Sequence, residues 1–303
     1  MSPFKSIFYK IIFSIIILEF YGCNFNSKND TINPLNEIEL NDIQAICKNL
    51  SKGNYTFPLI SEFKKGKKQL VYIGVSHSND TLNPMFDSIQ KYFNKLKPNI
   101  SLNEGGKVSD TIRFKTKNEY IHQLGELYYL KYLSNNAGIK MINADCSDIF
   151  EYTSLLKKFD RKSIYYFYTI QRFLPQFLSG YSSNKVSENV NIEFNKFVEK
   201  AFVRDLKMKL SKEEMEWAYF EKAYKYFNNE EIDLENYDQA FSQSYLTEKS
   251  KIGDLARYSL IIRDRIIITN IYKALQKYDR VFIVFGGFHL LTQKPSLDKM
   301  FAK

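Results

Sequence analysis

The sequence predicts an α/β fold in which a mostly parallel sheet is flanked by helices and carries a helical insertion. From residue 69 onwards, short apolar runs alternate with segments in which apolar residues recur at helical spacing. The runs are continuously apolar, as expected for strands that are covered on both faces. Between about residues 149 and 250 the strand signal disappears, and the insertion is expected there.

Three strands alternate with two helices in the first half of the predicted domain. The strands end at Gly74, Glu104 and Asp145 respectively. Alternation of this kind predicts parallel strands that are joined by right-handed crossovers. The strands cover residues 70–73, 99–103 and 140–144, and the helices begin at Pro84, after the capping residue Asn83, and near Asn118.

The second half of the domain begins with the insertion and returns to the α/β pattern at its end. Within the insertion, Ser211 and Glu214 form a capping box ahead of an aromatic helix. A long helix over about residues 254–277 precedes a last strand over 281–285, which ends at Gly286. The insertion is interpreted either as a lid over a site or as a structural subdomain without a gating role.

The composition is that of a globular protein with a moderately basic surface. The chain has 303 residues, of which 44% are hydrophobic and 16% aromatic, and its formal net charge is +9. The lysines are scattered and accompany no nucleic-acid-binding motif, so no nucleic-acid partner is predicted, whereas weak attraction to an anionic membrane surface stays open. Three cysteines without a CxxC pair indicate neither a disulfide framework nor a structural zinc site.

The first 36 residues are interpreted as a targeting segment followed by a polar tether. Lys5 and Lys10 accompany an apolar stretch that is too short to span a bilayer and resembles a signal-peptide core. It leads to Cys23, which stands where a bacterial lipobox has its acylated cysteine; an ordinary secretory signal or an uncleaved anchor is the alternative. The predicted organisation is a signal peptide and lipobox over 1–23, a tether over 24–36 and the α/β domain over 37–303. We therefore expect a secreted protein that is lipid-anchored at the bacterial cell envelope, at the outer membrane.

Two histidines follow strand ends in the same motif. Gly74 precedes His77 and Gly286 precedes His289, each as Gly-x-x-His at the carboxyl end of an apolar strand. In an open parallel sheet, ligands bind in the crevice outside these ends, and a glycine there permits a sharp turn or a close approach. Glu104 ends another strand at the same edge, so we expect its carboxylate to lie with the two imidazoles.

Two chemical roles are open to these three side chains. Two imidazoles and a carboxylate could hold a divalent metal such as Mn, Co or Zn, with free positions for water and substrate. The same groups could act without a metal, as a general base and its orienting partners. The sequence has neither a Gly-x-Ser-x-Gly elbow nor a His-Glu-x-x-His motif, which argues against a serine nucleophile and against the common zincin arrangement.

The order of these residues resembles that of the TraB/PrgY/TIKI superfamily, with its erythromycin-esterase-like and ChaN-like relatives. In that group a Gly-x-x-His follows the first strand, a Glu follows the second, and an Arg-bearing helix precedes a second Gly-x-x-His. The resemblance covers roughly residues 69–145 and 255–297. The residues that match these places in order are His77, Glu104, Arg263 and His289.

Supporting residues follow from the resemblance and from their positions. Gly125-Glu126, on the second helix, matches a Gly-Glu pair that recurs in the group. Asp145 ends the third strand at the same edge, but an Asp there is also a common N-cap of the next helix. The glycines of the two histidine motifs, Gly74 and Gly286, complete the supporting set.

Two arginines that lie close together on one helix are candidates for the arginine of the motif. Arg263 shares a helical face with Ile267 and Asn270, so its side chain could point at the sheet edge. Arg265 is the alternative. The motif match favours Arg263.

The resemblance implies a hydrolase fold and leaves three functions open. TIKI-like members are metal-dependent proteases, esterase-like members open ester bonds, and ChaN-like members are lipoproteins that bind haem iron. The leading expectation is a metal-dependent hydrolase that cuts a peptide or a small ester, with Arg263 stabilising the developing oxyanion. The alternatives are a haem- or iron-binding surface lipoprotein, for which the 22 tyrosines offer ligands, and a catalytically silent regulator.

Overall fold

The computed structural model of the protein describes residues 38–180, 186–235, 237 and 245–302. The predicted signal peptide, the lipobox cysteine Cys23 and the tether lie outside the described residues. Among the helices of the described part, none combines the length and the apolar character that a membrane span requires.

A five-stranded sheet forms the centre of the molecule, and its spatial order is β1-β2-β5-β3-β4. β1 is antiparallel to β2, and the other neighbours are parallel. The predicted, mostly parallel α/β fold is therefore confirmed, with β1 as an edge strand that the sequence analysis missed. The strands are β1 (Leu59–Lys65), β2 (Lys68–Val75), β3 (Ile100–Asn103), β4 (Lys140–Asn143) and β5 (Arg280–Gly286).

Ten α-helices are described around this sheet, and π-helical turns extend two of them. The π turns cover Thr169–Phe173 and Val198–Asp205. The α-helices are α1 (Ile43–Ser51), α2 (Met85–Leu96), α3 (Lys117–Asn136), α4 (Asp148–Leu155), α5 (Arg161–Tyr168), α6 (Leu174–Gly180), α7 (Val186–Phe197), α8 (Trp217–Asn228), α9 (Lys251–Lys277) and α10 (Gly287–Phe301).

Helices cover both faces of the sheet, which explains why its central strands β2 and β5 are apolar over most of their length. On one face, α2 and α3 pack against Ile73 and Phe282, and the ring of Phe93 meets that of Phe282 edge-on with 5.2 Å between centroids. On the other face, α9 and α10 pack against Tyr72 and Ile283. Burial of each side chain of this size stabilises the fold by about 1.5–3 kcal/mol. The sheet therefore holds the groups at its carboxyl edge in fixed positions.

The insertion forms a helical layer with an aromatic core of its own. Its helices bury rings such as Tyr166, Phe194 and Trp217, and the last two have centroids 5.3 Å apart. The first half of α9 contributes Ile252 and Leu255 to the same core. The predicted helical insertion is confirmed, and α9 joins it to the sheet.

The predicted capping box of the insertion is also confirmed. Ser211 N donates to Glu214 Oε2 at 2.8 Å, and Glu214 N donates to Ser211 Oγ at 3.3 Å. Glu214 lies within the 3₁₀ turn Glu213–Met215, so the box closes this turn, and α8 begins after Glu216, which makes no side-chain cap. Glu214 Oε1 also accepts from Arg161 Nη2 at 2.6 Å, so the cap ties this end of α8 to the start of α5.

Candidate functional site

Glycines allow the two histidine motifs to meet at the carboxyl edge of the sheet. A Cβ atom on Gly74 would lie only 2.9 Å from Gly287 Cα, so the end of β2 and the start of α10 are in backbone contact. A Cβ atom on Gly286 would lie 3.2 Å from both Glu104 Oε2 and His77 Nε2. These two side-chain atoms are therefore close neighbours beside Gly286, and a larger residue at either motif glycine would disturb the site.

His289 lies in the first turn of α10 and connects two carboxylates. Its Nδ1 is 2.6 Å from Asp264 Oδ1, and its Nε2 is 3.3 Å from Glu104 Oε1. Burial alone would lower the pKa of His289, whose side chain is 5% exposed, but the carboxylates of Asp264 and Glu104 raise it to about 10. At neutral pH the ring is therefore an imidazolium with an N–H directed at each carboxylate.

Asp264 is a member of this site to which the sequence analysis assigned no role. Its carboxylate is fully buried and accepts from Thr292 Oγ1 at 2.5 Å and from Gln293 Nε2 at 2.6 Å, beside its contact with His289. A buried carboxylate is costly without partners, and these donors satisfy it. One signal could have found it: Asp264 lies four residues before the buried Ile268, on the apolar face of α9.

Glu104 connects His289 to the backbone of the second motif and to Arg263. Oε2 accepts from Gly286 N at 2.7 Å, and Oε1 accepts from Arg263 Nη2 at 2.9 Å. Burial alone would raise the pKa of Glu104, but the positive charges of His289 and Arg263 hold it well below its ordinary value. Glu104 is thus a carboxylate whose two oxygens both have donors.

Arg263 forms a two-pronged ion pair with Asp145. Its Nε donates to Asp145 Oδ1 at 3.2 Å, and its Nη2 donates to Oδ2 at 2.5 Å. Among the described residues, its Nη1 has no hydrogen-bond partner. The predicted helical face is confirmed, because Asn270, two turns later on α9, donates to Ala144 O at 2.9 Å.

The interpretation of Asp145 as the N-cap of the next helix is wrong. α4 is capped by Ser147, whose side chain accepts from Phe150 N. Asp145 Oδ1 accepts from Cys146 N at 2.8 Å, and the rest of its carboxylate turns to Arg263. The side chain is therefore part of the ion-pair network at the sheet edge.

His77 stands on the loop after β2 and pairs with Glu126 of α3. Its Nδ1 is hydrogen-bonded to Glu126 Oε1, and Ser78 N lies 3.5 Å from Glu126 Oε2. The hydrogen bond to Glu126 raises the pKa of His77 above its ordinary value, against the opposing effect of burial. In contrast to His289, the His77 side chain is 63% exposed to solvent.

A kink in α3 brings Glu126 to this loop. The helix is interrupted at Leu124 (φ −148°, ψ 39°) and Gly125 (φ 54°, ψ −132°). The conformation of Gly125 is one that residues with a side chain rarely adopt. A Cβ atom there would also lie 2.4 Å from Ser78 O. The Gly-Glu pair thus has a geometric reason: the glycine permits the contact and Glu126 binds the histidine.

Arg265 and His122 lie outside this cluster, whereas Cys146 follows Asp145 directly. Arg265, the alternative arginine, lines a cleft between α1 and the first half of α9, and His122 is exposed on α3. Cys47 and Cys146 are free thiols, and burial raises the pKa of both. Neither is therefore activated as a thiolate nucleophile.

The suitability of the site for a metal depends on Glu104. Histidines whose Nδ1 atoms are held by carboxylates are of the kind that ligates divalent metals through Nε2. As they stand, however, both oxygens of Glu104 face protein donors, and in the part of the chain that the structure describes no group of three His, Cys, Asp or Glu side chains could hold an ion. The residues are therefore of the kind that binds a metal, but in their present arrangement the carboxylate of Glu104 is held by protein donors.

No protein-family model matches the chain, and it has no significant match among curated proteins.

Proposed function

We propose that the protein is a hydrolase that cleaves an ester or a peptide bond at the carboxyl edge of its sheet. The observation that carries the proposal is the arrangement of two histidines, each bound at Nδ1 by a carboxylate, with both Nε2 atoms close to Glu104. A carboxylate at Nδ1 orients the ring and stabilises the charge that develops on it during proton transfer. The motif resemblance to the TraB/PrgY/TIKI group supports the same class of reaction.

In the proposed mechanism His77 is the general base. Its Nε2 takes a proton from a water molecule while the water oxygen bonds to the carbonyl carbon of the substrate. The tetrahedral intermediate then expels the alkoxide or amine, which recovers the proton from His77. The solvent exposure of His77 gives it access to water, and Glu126 stabilises the imidazolium between the two steps.

Arg263 and His289 provide positive charge for the developing oxyanion in this proposal. Arg263 Nη1 is the donor that would bind the oxyanion, since Nε and Nη2 are bound to carboxylates. Glu104 and Asp145 fix the guanidinium in place before substrate arrives. Loss of such a donor costs about 2.7–4 kcal/mol of transition-state stabilisation in hydrolases, so Arg263→Lys should lower kcat more than it changes KM.

The test is an assay of residues 24–303 against chromogenic esters and a peptide library. This form begins after the predicted lipobox cysteine and contains every residue that the structure describes. His77→Ala is expected to lower kcat/KM about a hundredfold or more, and the matched variant His122→Ala should leave it unchanged. Activity that His77→Ala leaves intact would refute the mechanism.

The role of a metal is tested in the same assay. Activity that survives a chelator supports the metal-free mechanism, whereas activity that is lost and then restored by Mn, Co or Zn would replace it with a metal-dependent one. Elemental analysis of the wild type and of His289→Ala is the second measurement. A metal that copurifies with the wild type and is absent from the variant would assign that residue as a ligand.

Haem binding is the alternative function, and the site geometry gives it less support. The ring nitrogens of His289 both face carboxylates, and its side chain is almost fully buried. We expect a haem titration of residues 24–303 to produce no Soret shift. A stoichiometric shift that is lost in His77→Ala would favour the haem-binding function instead.

We also propose that the chain is exported and lipid-anchored at the bacterial cell envelope through Cys23. The proposal rests on the lipobox-like sequence and on the polar stretch that follows it. Incorporation of a labelled fatty acid into the full chain, and its loss in Cys23→Ser, is the expected result. Incorporation that persists in Cys23→Ser would contradict lipidation at this residue.

A further inference from the structure

The edge of the sheet opposite the candidate site is densely basic. It contains the turn between β1 and β2, the first residues of the parallel strands and the last residues of α2, α9 and α10. Lysines occur at almost every one of these ends. Those that are exposed are Lys64, Lys65, Lys67, Lys95, Lys97, Lys140, Lys277 and Lys299. We call these eight residues the basic edge.

Carboxylates pair with at least three of the eight lysines of the basic edge: Lys67, Lys95 and Lys299, whose Nζ lies 3.2 Å from Glu39 Oε1. Asp279 lies 3.0 Å from Lys68 Nζ and 3.6 Å from Lys67 Nζ, and Glu62 lies 2.7 Å from Lys95 Nζ. The carboxyl edge, in contrast, holds the acids of the candidate site. The basic edge therefore lies on the opposite side of the sheet from the candidate site.

The chain enters the described structure from the side of the basic edge. Glu39 N donates to Ser296 Oγ at 3.0 Å, and Asn41 N donates to Thr292 O at 2.8 Å, so residues 39–41 run antiparallel to α10. The far end of α10 reaches the turn of β1 and β2, where Phe301 stacks on Phe63 with 5.3 Å between centroids. Followed backwards, the chain thus leads from the site towards the basic edge.

We propose that the basic edge docks on an anionic phospholipid surface and that the candidate site then faces away from it. The proposal rests on the lipid anchor proposed above for the orientation, but not on the hydrolase activity. From Cys23 to Ile38 the chain can span at most about 50 Å, enough to let this edge reach the surface that holds the anchor. Lysines distributed across a whole sheet edge suit an extended charged surface, and each adds to the attraction.

The experiment measures cosedimentation of unlipidated residues 24–303 with vesicles. We expect a partition coefficient about tenfold or more higher for phosphatidylcholine vesicles with 30% phosphatidylglycerol than for phosphatidylcholine alone, with the difference lost in 0.5 M salt. The triple variant Lys64→Glu, Lys97→Glu, Lys140→Glu should abolish the preference. The matched variant Lys157→Glu, Lys209→Glu, Lys212→Glu makes the same charge change on exposed lysines of the helical layer. This variant should retain most of the preference for anionic vesicles.

Three results would overturn the proposal. The first is equal partition to the two kinds of vesicle at low salt. The second is an equal loss of binding in the two triple variants, which would indicate net charge alone. The third is binding to an unrelated polyanion, such as a DNA duplex, without binding to anionic vesicles. The assay contains no substrate, so its failure is distinct from failure of the hydrolase proposal, and circular dichroism confirms that each variant is folded.

Discussion

The two histidines of the candidate site have similar partners and opposite environments. Each ring binds a carboxylate through Nδ1, yet the side chain of His77 is mostly exposed and that of His289 is almost fully buried. Because Glu104 and Asp264 both face His289, that ring retains its charge over the neutral range. Of the two rings, only that of His77 is largely exposed to solvent, so the proposed mechanism assigns His77 as the base and His289 as the fixed cation.

Glu126→Gln should lower activity and shift the acidic limb of the pH profile of kcat/KM. The hydrogen bond to Glu126 raises the pKa of His77, and a base must be unprotonated to act, so activity rises with pH through that pKa. Without the carboxylate the pKa falls, and the acidic limb of kcat/KM moves to lower pH while kcat falls about tenfold or more. Glu221→Gln, an exposed acid of α8, is the control. An unchanged limb would exclude Glu126 as the partner of His77 in catalysis.

Asp264→Asn should destabilise the fold and reduce its pH dependence. His289 has a folded-state pKa of about 10 against an ordinary value of 6.5, so its contribution is complete below about pH 6.5 and disappears as the pH rises through about 10. Wild-type unfolding free energy should therefore fall over this window. The variant loses about 3 kcal/mol at pH 7 and shows a shallower fall in urea titrations.

Asp298→Asn is the matched control for this prediction, because Asp298 is an exposed acid of α10 that pairs with Lys294. It should keep the wild-type pH profile and lose at most about 1 kcal/mol. Equal effects of the two substitutions would mean that the buried pair makes no special contribution.

At the scale of secondary-structure elements, the site depends on the places where elements touch. β2 meets the start of α10 at Gly74, and the kink of α3 meets the His77 loop at Gly125. The first contact sets the two histidine motifs side by side, and the second brings Glu126 to one of them. A substitution that adds a side chain at either glycine would push these backbone segments apart and so displace the site residues.

Gly125→Ala should reduce both stability and activity. The new methyl group would meet Ser78 O at 2.4 Å, and the residue would keep a φ of 54° that alanine adopts only with strain. We expect a loss of about 2–4 kcal/mol in unfolding free energy and a loss of activity from the folded fraction. Gly138→Ala is the matched control, since Gly138 also has a positive φ (66°) but no atom near its Cβ position.

The outcome that would contradict this interpretation is an equal effect of the two alanines on kcat. Strain alone would then explain the change, and the contact with the His77 loop would have no role in positioning Glu126.

The elements that the sequence predicted are those whose signal is local. Continuously apolar runs gave the buried strands, and Ser211 and Glu214 gave a cap, because both patterns depend on a few adjacent residues. β1 was missed because it is an edge strand whose side chains are half-buried at most, with Ser61 and Lys64 among them. Its identity depends on pairing with β2, which the local pattern does not reveal.

Among the site residues too, those with a local sequence signal were predicted and the one that depends on tertiary packing was not. His77 and His289 were found because motifs mark strand ends, and strand ends in a parallel sheet share an edge. Asp264 was missed because an acid beside an arginine on a helix is usually solvated. Its burial arises from the packing of α9 on α10, where Thr292 and Gln293 supply its donors.

At the scale of the whole molecule, α9 connects the sheet to the helical layer. Its first half belongs to the aromatic core through residues such as Leu255, and its second half covers the sheet through Ile267 and Ile271. Arg263 lies between the two halves. A buried junction lies one turn earlier, where Glu151 accepts from Ser259 Oγ at 2.5 Å. One rigid helix thus holds the site arginine and joins both cores.

The sheet and the helical layer should therefore unfold in one step. Trp217, the single tryptophan, is buried in the helical layer and reports on it by fluorescence, while activity reports on the sheet edge. In urea the two signals should lose half their amplitude at the same concentration, because α9 cannot unravel in one core without exposing the other. Glu151→Gln, which removes the carboxylate that binds Arg172 at 2.7 Å, should lower the unfolding free energy by about 2–3 kcal/mol and both urea midpoints together, and Glu221→Gln should lower neither midpoint. Separate midpoints, or a shift of the Trp217 signal alone in Glu151→Gln, would contradict the coupling through α9.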